Sequence, residues 1–210
     1  MYEVRVTKLD EGKLLGLASM VVDGEFAFSG IRLLATDNPD ANKGRGYNVV
    51  MPSYKTQKGD YVPFFKPVTK NMHDKLAYSI HKAFETGDAV EFGSENQELS
   101  VSVKPLNKDI QDEGTKKADV SISFNKEFVC DSISVRENIS SGELFVAYPS
   151  YKSSKVDGDY KSICNPITKD FREKISQEVL GRLEAPAKDK GVELPKGKDA
   201  AVQRKYSKQR

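Results

Sequence analysis

Apolar and polar residues alternate along the start of the chain. Between residues 2 and 9, Val4, Val6 and Leu9 interleave loosely with Arg5 and Lys8, which predicts a half-buried strand. After the turn Asp10-Glu11-Gly12, residues 14–22 are rich in β-branched and small side chains and predict a second strand. Asp23-Gly24 is a two-residue hairpin signal leading into a third strand over 25–35. Residues 37–46 read as a polar loop. Residues 47–54 predict a fourth strand, broken near Pro52, and residues 60–65 a short fifth one. Pro67 ends the strands, and Thr69 is placed to cap a helix running to about Glu85. Within it Met72, Leu76, Ile80 and Phe84 recur every fourth residue, an apolar stripe that must face a sheet.

The second half repeats the first. Met51-Pro52-Ser53-Tyr54-Lys55, Gly59-Asp60-Tyr61 and Pro67-Val68-Thr69-Lys70 return as Tyr148-Pro149-Ser150-Tyr151-Lys152, Gly158-Asp159-Tyr160 and Pro166-Ile167-Thr168-Lys169. Val101/Val103 and Val120/Ile122/Phe124 alternate with serines, and Phe171, Ile175, Val179 and Leu183 form the matching helix stripe. The offset between copies is 97 at Val4/Val101, 102 at Phe26/Phe128, 97 at Pro52/Pro149 and 99 at Pro67/Pro166, and it changes only in polar turns. Turns tolerate insertion where strands do not. The expected fold class is therefore α+β: two tandem copies, each a mostly antiparallel sheet followed by one helix, packed as an intrachain pseudo-dimer. The boundaries expected are copy 1 over 1–87, an acidic linker over 88–97, copy 2 over 98–185 and a basic, disordered tail over 186–210.

Composition narrows the function classes. No apolar run approaches the ~20 residues of a membrane helix, and the start of the chain reads as a strand, so a chain without a secretory leader, acting in the cytoplasm, is expected. Cys130 and Cys164 are far apart in sequence and predict free buried thiols, not a disulfide framework or a metal site. The net charge is only +2, but 186–210 carries eight basic residues against three acids. Gly44-Arg45-Gly46 lacks the lysine and following helix of a phosphate-binding loop. His73 and His81 read as surface residues without partners for acid–base or metal chemistry. No cofactor is called for.

A strand ending in Met-Pro-Ser, a glycine-bearing hairpin and a Pro-x-Thr helix start with Lys in its first turn resemble the SpoVG family of bacterial sporulation and septation regulators. Asp23-Gly24-Glu25-Phe26 and Ile31-Arg32 fit the same pattern. The resemblance covers about 2–86 and 98–184. It departs at Tyr148, where copy 1 has Met51, and at Ser134, where copy 1 has Arg32. It implies a small domain that dimerises and binds DNA, or RNA in some members, as a regulator without enzymatic activity. Two fused copies then stand in for the homodimer, and a monomeric chain is expected.

The candidate nucleic-acid-binding residues are Lys55, Lys70, Lys75 and Lys82 in copy 1, with Lys152, Lys169, Arg172 and Lys174 in copy 2. Cations on helix faces and strand ends neutralise phosphates, while Asp74, Glu173 and Glu178 dilute the positive field. Tyr54 and Tyr151 have two readings, stacking on unpaired bases or packing where the copies meet. The competing function is a protein-interaction module working through a sheet edge or face without nucleic acid.

Overall fold

A computed structural model describes residues 1–38, 44–93, 98–107, 114–152 and 160–184. The predicted loop is described only at its ends, and most of the turns at 108–114 and 153–158 and the tail at 186–210 lie outside the described residues.

In chain order the strands are β1 (Tyr2–Glu11), β2 (Leu14–Val22), β3 (Phe26–Ala35), β4 (Tyr47–Val50), β5 (Ser53–Lys55), β6 (Tyr61–Pro63) and β7 (Phe65–Pro67). Helix α1 (Lys70–Thr86) and β8 (Val90–Phe92) complete the first half. The second half contains β9 (Leu99–Pro105), β10 (Lys116–Phe124), β11 (Phe128–Glu137), β12 (Leu144–Ala147), β13 (Ser150–Lys152), β14 (Tyr160–Ser162), β15 (Cys164–Pro166) and helix α2 (Lys169–Glu184).

The hairpins form where the turn residues demand them. Asp23 and Gly24 both take positive φ, 48° and 68°, and Glu25 N–H closes the turn on Val22 O at 2.9 Å. β1, β2, β3 and β4 pair in sequence, as do β9, β10, β11 and β12. Met72, Leu76 and Ile80 are buried beneath α1, which packs on β1 and β8, and Phe171, Ile175 and Val179 are buried beneath α2, which packs on β9 and β12.

Three expectations are corrected. The predicted fourth strand breaks at Pro52 as expected, but its two parts fall in different sheets: β4 stays in the first sheet, and β5 pairs with β6 in a separate two-stranded ribbon. Proline has no N–H to continue a ladder, and Pro52 O instead accepts from Phe64 N–H at 3.0 Å. The predicted fifth strand divides likewise, into β6 and β7.

The second correction concerns β7. It leaves its own copy and pairs with β11, with Phe65 opposite Cys130, while β15 crosses the other way to pair with β3, with Cys164 opposite Phe28. The exchange is pseudo-twofold down to single hydrogen bonds. Val68 N–H donates to Glu127 O and Ile167 N–H to Glu25 O, both at 2.8 Å; Ser29 N–H donates to Ile163 O and Asp131 N–H to Phe64 O. Each sheet is thus finished by a strand from the other half, which answers the problem of unpaired edges in a small unit.

The third correction concerns 88–97. Within this segment Val90-Glu91-Phe92 is strand β8, paired with β1, with Val90 buried and Phe92 stacked on Tyr2 at 5.2 Å. The other linker residues, 94–97, lie outside the described set.

One core runs through both halves. Tyr2 meets Phe128 at 4.9 Å, its hydroxyl donates to Glu127 at 3.0 Å, and Phe26 meets Phe124 at 5.1 Å. At the centre Phe28 and Phe65 lie ring to ring at 4.6 Å. Their counterparts in the second half, Cys130 and Cys164, touch at 3.0 Å and are free, buried thiols.

Candidate nucleic-acid interface

Both helices start at a threonine. Thr69 Oγ1 accepts from Met72 N–H at 3.2 Å, and Thr168 Oγ1 from Phe171 N–H at 3.3 Å. Gly87 ends α1 at φ 80°, a left-handed position that glycine takes without strain, and donates to Ala83 O at 3.0 Å.

With Met72, Leu76 and Ile80 turned inward, the outward face of α1 carries Asn71, Lys75, Tyr78 and Lys82, all exposed. Their three- and four-residue spacing aligns them in one stripe. Tyr78 is 58% exposed, and sequence reasoning did not single it out. Its phase opposite the apolar stripe and between two lysines was the available signal. The corresponding residues of α2 are Asp170, Lys174, Gln177 and Gly181, so the second helix lacks both the ring and one cation.

All eight predicted cations are exposed, but the copies treat them differently. Among the described residues Lys55, Lys70, Lys75 and Lys82 form no ion pair. In the second copy Lys169 lies 3.7 Å from Glu173, Arg172 donates to Pro166 O at 3.1 Å and lies over the Tyr148 ring, and Lys174 lies 5.7 Å from the Phe171 ring centroid. A cation at a helix N-terminus opposes the macrodipole. Asp170 in the first turn offsets this for Lys169, whereas α1 has no acid in its first turn. The start of α1 is therefore the less compensated positive end.

Tyr54 and Tyr151 lie on the two ribbons, β5–β6 and β13–β14, and are exposed. Tyr54 rests against Phe64 of its own copy at 5.2 Å. His73 is exposed as expected. His81 differs: its Nδ1 shares a 2.8 Å hydrogen bond with the Tyr47 hydroxyl, and its Nε2 lies 3.3 Å from Glu85, so it latches α1 to β4. No three His, Cys, Asp or Glu side chains among the described residues are grouped to hold a metal ion. No described helix is long and apolar enough to cross a membrane.

The family model described as SpoVG matches the chain twice, over residues 1–86 and 97–185. A septation protein SpoVG of Clostridium botulinum is 40% identical over 84 residues, covering 40% of this chain and 88% of that protein. Its namesake in Clostridium kluyveri is 44% identical over 72 residues, 34% of this chain and 71% of the relative. That of Caldanaerobacter subterraneus subsp. tengcongensis is 40% identical over 84 residues, 40% of this chain and 84% of the relative. Two family matches in tandem, on two halves that complete each other's sheets, make this chain a two-copy member of the SpoVG family.

Proposed function

We propose that this protein is a non-enzymatic, cytoplasmic regulator that binds nucleic acid through the outward face of α1. The observation that carries the reading is the stripe Lys75–Tyr78–Lys82, exposed and without ion pairs at its lysines among the described residues, on a helix whose N-terminus carries Lys70 with no acid in the first turn. Lys55 at the end of β5 adds a further exposed charge. Such cations act as phosphate contacts and carry no base readout by themselves. The second helix, whose Lys169, Arg172 and Lys174 are engaged within the protein, contributes less to this helix-face contact. The relatives are named for septation, and we take that as the process this chain regulates.

A gel-shift series on duplex DNA, single-stranded DNA and RNA tests this reading. Binding should fall steeply between ~50 and ~200 mM salt. No shift with any of the three at low salt overturns it.

A second reading has its own observation. β12 is an outer strand of the second sheet, and its Leu144 and Phe145 are exposed near the exposed Ile139. An apolar sheet edge suits an added peptide strand. A partner retained after nuclease treatment and lost on Phe145→Asp would favour this protein-interaction role.

A further inference from the structure

The two ribbons share a feature that neither main sheet has. In β5–β6 Lys55 is directly opposite Tyr61, and in β13–β14 Lys152 is directly opposite Tyr160. Directly paired residues of an antiparallel ribbon project from the same face, with Cβ atoms about 4.5–5.5 Å apart. Tyr54 and Tyr151 project from the other face, because neighbours along a strand alternate. Tyr54 has Phe64 against it, whereas Tyr61 and Tyr160 are 68% and 65% exposed, with no ring contact among the described residues. The first ribbon is held in shape by its turn: Thr56 N–H donates to Asp60 O at 2.8 Å, Gly59 N–H to Thr56 O at 2.9 Å and Asp60 N–H to Thr56 Oγ1 at 3.2 Å.

A planar phenol ring and an ammonium side by side on one surface match one ligand unit, a ring joined to an anionic link. We propose that the Lys55–Tyr61 and Lys152–Tyr160 faces each seat one nucleotide of a single-stranded nucleic acid, the base stacked on the tyrosine and the phosphate on the lysine. Bases inside a duplex already cover each other's faces and cannot offer them to a protein ring. Stacking tolerates any base, so the ribbons grip single strands without reading sequence. The duplication supplies two such seats on one chain, and one strand engaging both gains by the high effective concentration of the second contact. The proposal rests on the nucleic-acid reading above and adds a site distinct from the α1 stripe.

The test uses the full chain with oligo(dT), oligo(U) and a DNA duplex of the same length, read by gel shift and by quenching of tyrosine emission, the chain having no tryptophan. Tyr61→Ala with Tyr160→Ala should weaken single-strand binding about 30-fold or more, the equivalent of at least ~1 kcal/mol per stacked base. Tyr61→Phe with Tyr160→Phe should stay within about threefold of the parent, because stacking needs the ring and not the hydroxyl. Oligo(dT) and oligo(U) separate the DNA from the RNA source. Unchanged binding in the alanine variant overturns the proposal, as does an equal loss in the phenylalanine variant or duplex binding as tight as single-strand binding. Lys75→Glu with Lys82→Glu separates the two sites. If that variant keeps both the single-strand quench and duplex binding, the ribbon proposal stands and the helix reading falls; if no ligand binds the parent chain, both fall.

Discussion

Cys130 Sγ and Cys164 Sγ lie 3.0 Å apart, at the positions that Phe28 and Phe65 occupy in the other half. In register each cysteine faces one of those phenylalanines. Two large and two small side chains therefore fill the crossing point, whereas strict symmetry would bring four rings or four thiols together. Hydrogen bonding to Cys130 and burial hold the Cys164 thiol far above its ordinary range. We expect both thiols to resist alkylation in the native protein on the order of 10³-fold or more relative to the denatured chain, since access needs an opening of about 5 kcal/mol or more. Rapid labelling of either thiol under native conditions would contradict the packing.

The same crossing point predicts how the protein unfolds. Phe65 belongs to the first copy but is buried on β11 of the second sheet. Phe65→Ala should cost about 3–5 kcal/mol, and urea denaturation should keep a single transition because the two halves share one core. Two transitions, only one of them shifted, would mean that the halves fold separately. Sedimentation at micromolar concentration should give one chain mass, 23.4 kDa.

Tyr148 stands where the first copy has Met51, and its buried hydroxyl has no hydrogen-bond partner among the described residues. Leaving such a group unpaired costs about 1–3 kcal/mol, so Tyr148→Phe should leave stability unchanged or raise it by about 1 kcal/mol. Burial also lifts the Tyr148 pKa above its ordinary 10.0. Above pH 10 the unfolded chain releases this proton and the folded one keeps it. The Tyr148 contribution is therefore intact below pH 10 and is lost as pH rises beyond it, by up to about 1.4 kcal/mol per pH unit. Tyr148→Phe should flatten that alkaline slope, read from chemical denaturation at pH 9, 10 and 11; an unaltered slope would refute the assignment.

On the α1 stripe, Lys75→Glu with Lys82→Glu should weaken duplex and single-strand binding without regard to sequence. Removing two phosphate contacts should also lower the salt slope of log K by about 2. The matched change in the second copy, Lys174→Glu, should have a smaller effect because that side chain lies against Phe171. Equal effects from the two helices would show that both copies contribute alike.

What was legible in the sequence was local. The Asp23-Gly24 turn, the helix start at Thr69 and the four-residue stripe from Met72 each depend on neighbours within a few residues. The exchange of β7 and β15 was hidden because Phe65 and Cys130, like Cys164 and Phe28, are partners that no local pattern links. β8 was hidden by its length: Val90-Glu91-Phe92 offers a single alternation, and the acids around it read as a linker. At the site, residue type marked the lysines, but their distinction between the copies lies in pairing. Nothing in their spacing told that Lys169 has Glu173 within reach while Lys70 stands alone among the described residues. Tyr78 was visible in principle, at the right phase between two lysines.

The reciprocal exchange also sets an order of events during synthesis. When a ribosome has completed β1 to β4, α1 and β8, about 75 more residues must be added before the strand that lies against Phe26 and Phe28 is made, a wait of roughly 4–15 s at about 5–20 residues per second. Throughout that interval the nascent first half has an open seam beside β3 and its own β7 without a berth. It cannot finish before the second half emerges. A slower passage through the codons for residues 98–166 should therefore lengthen its exposure to chaperones and proteases, a sensitivity that a chain of two self-sufficient domains would not have.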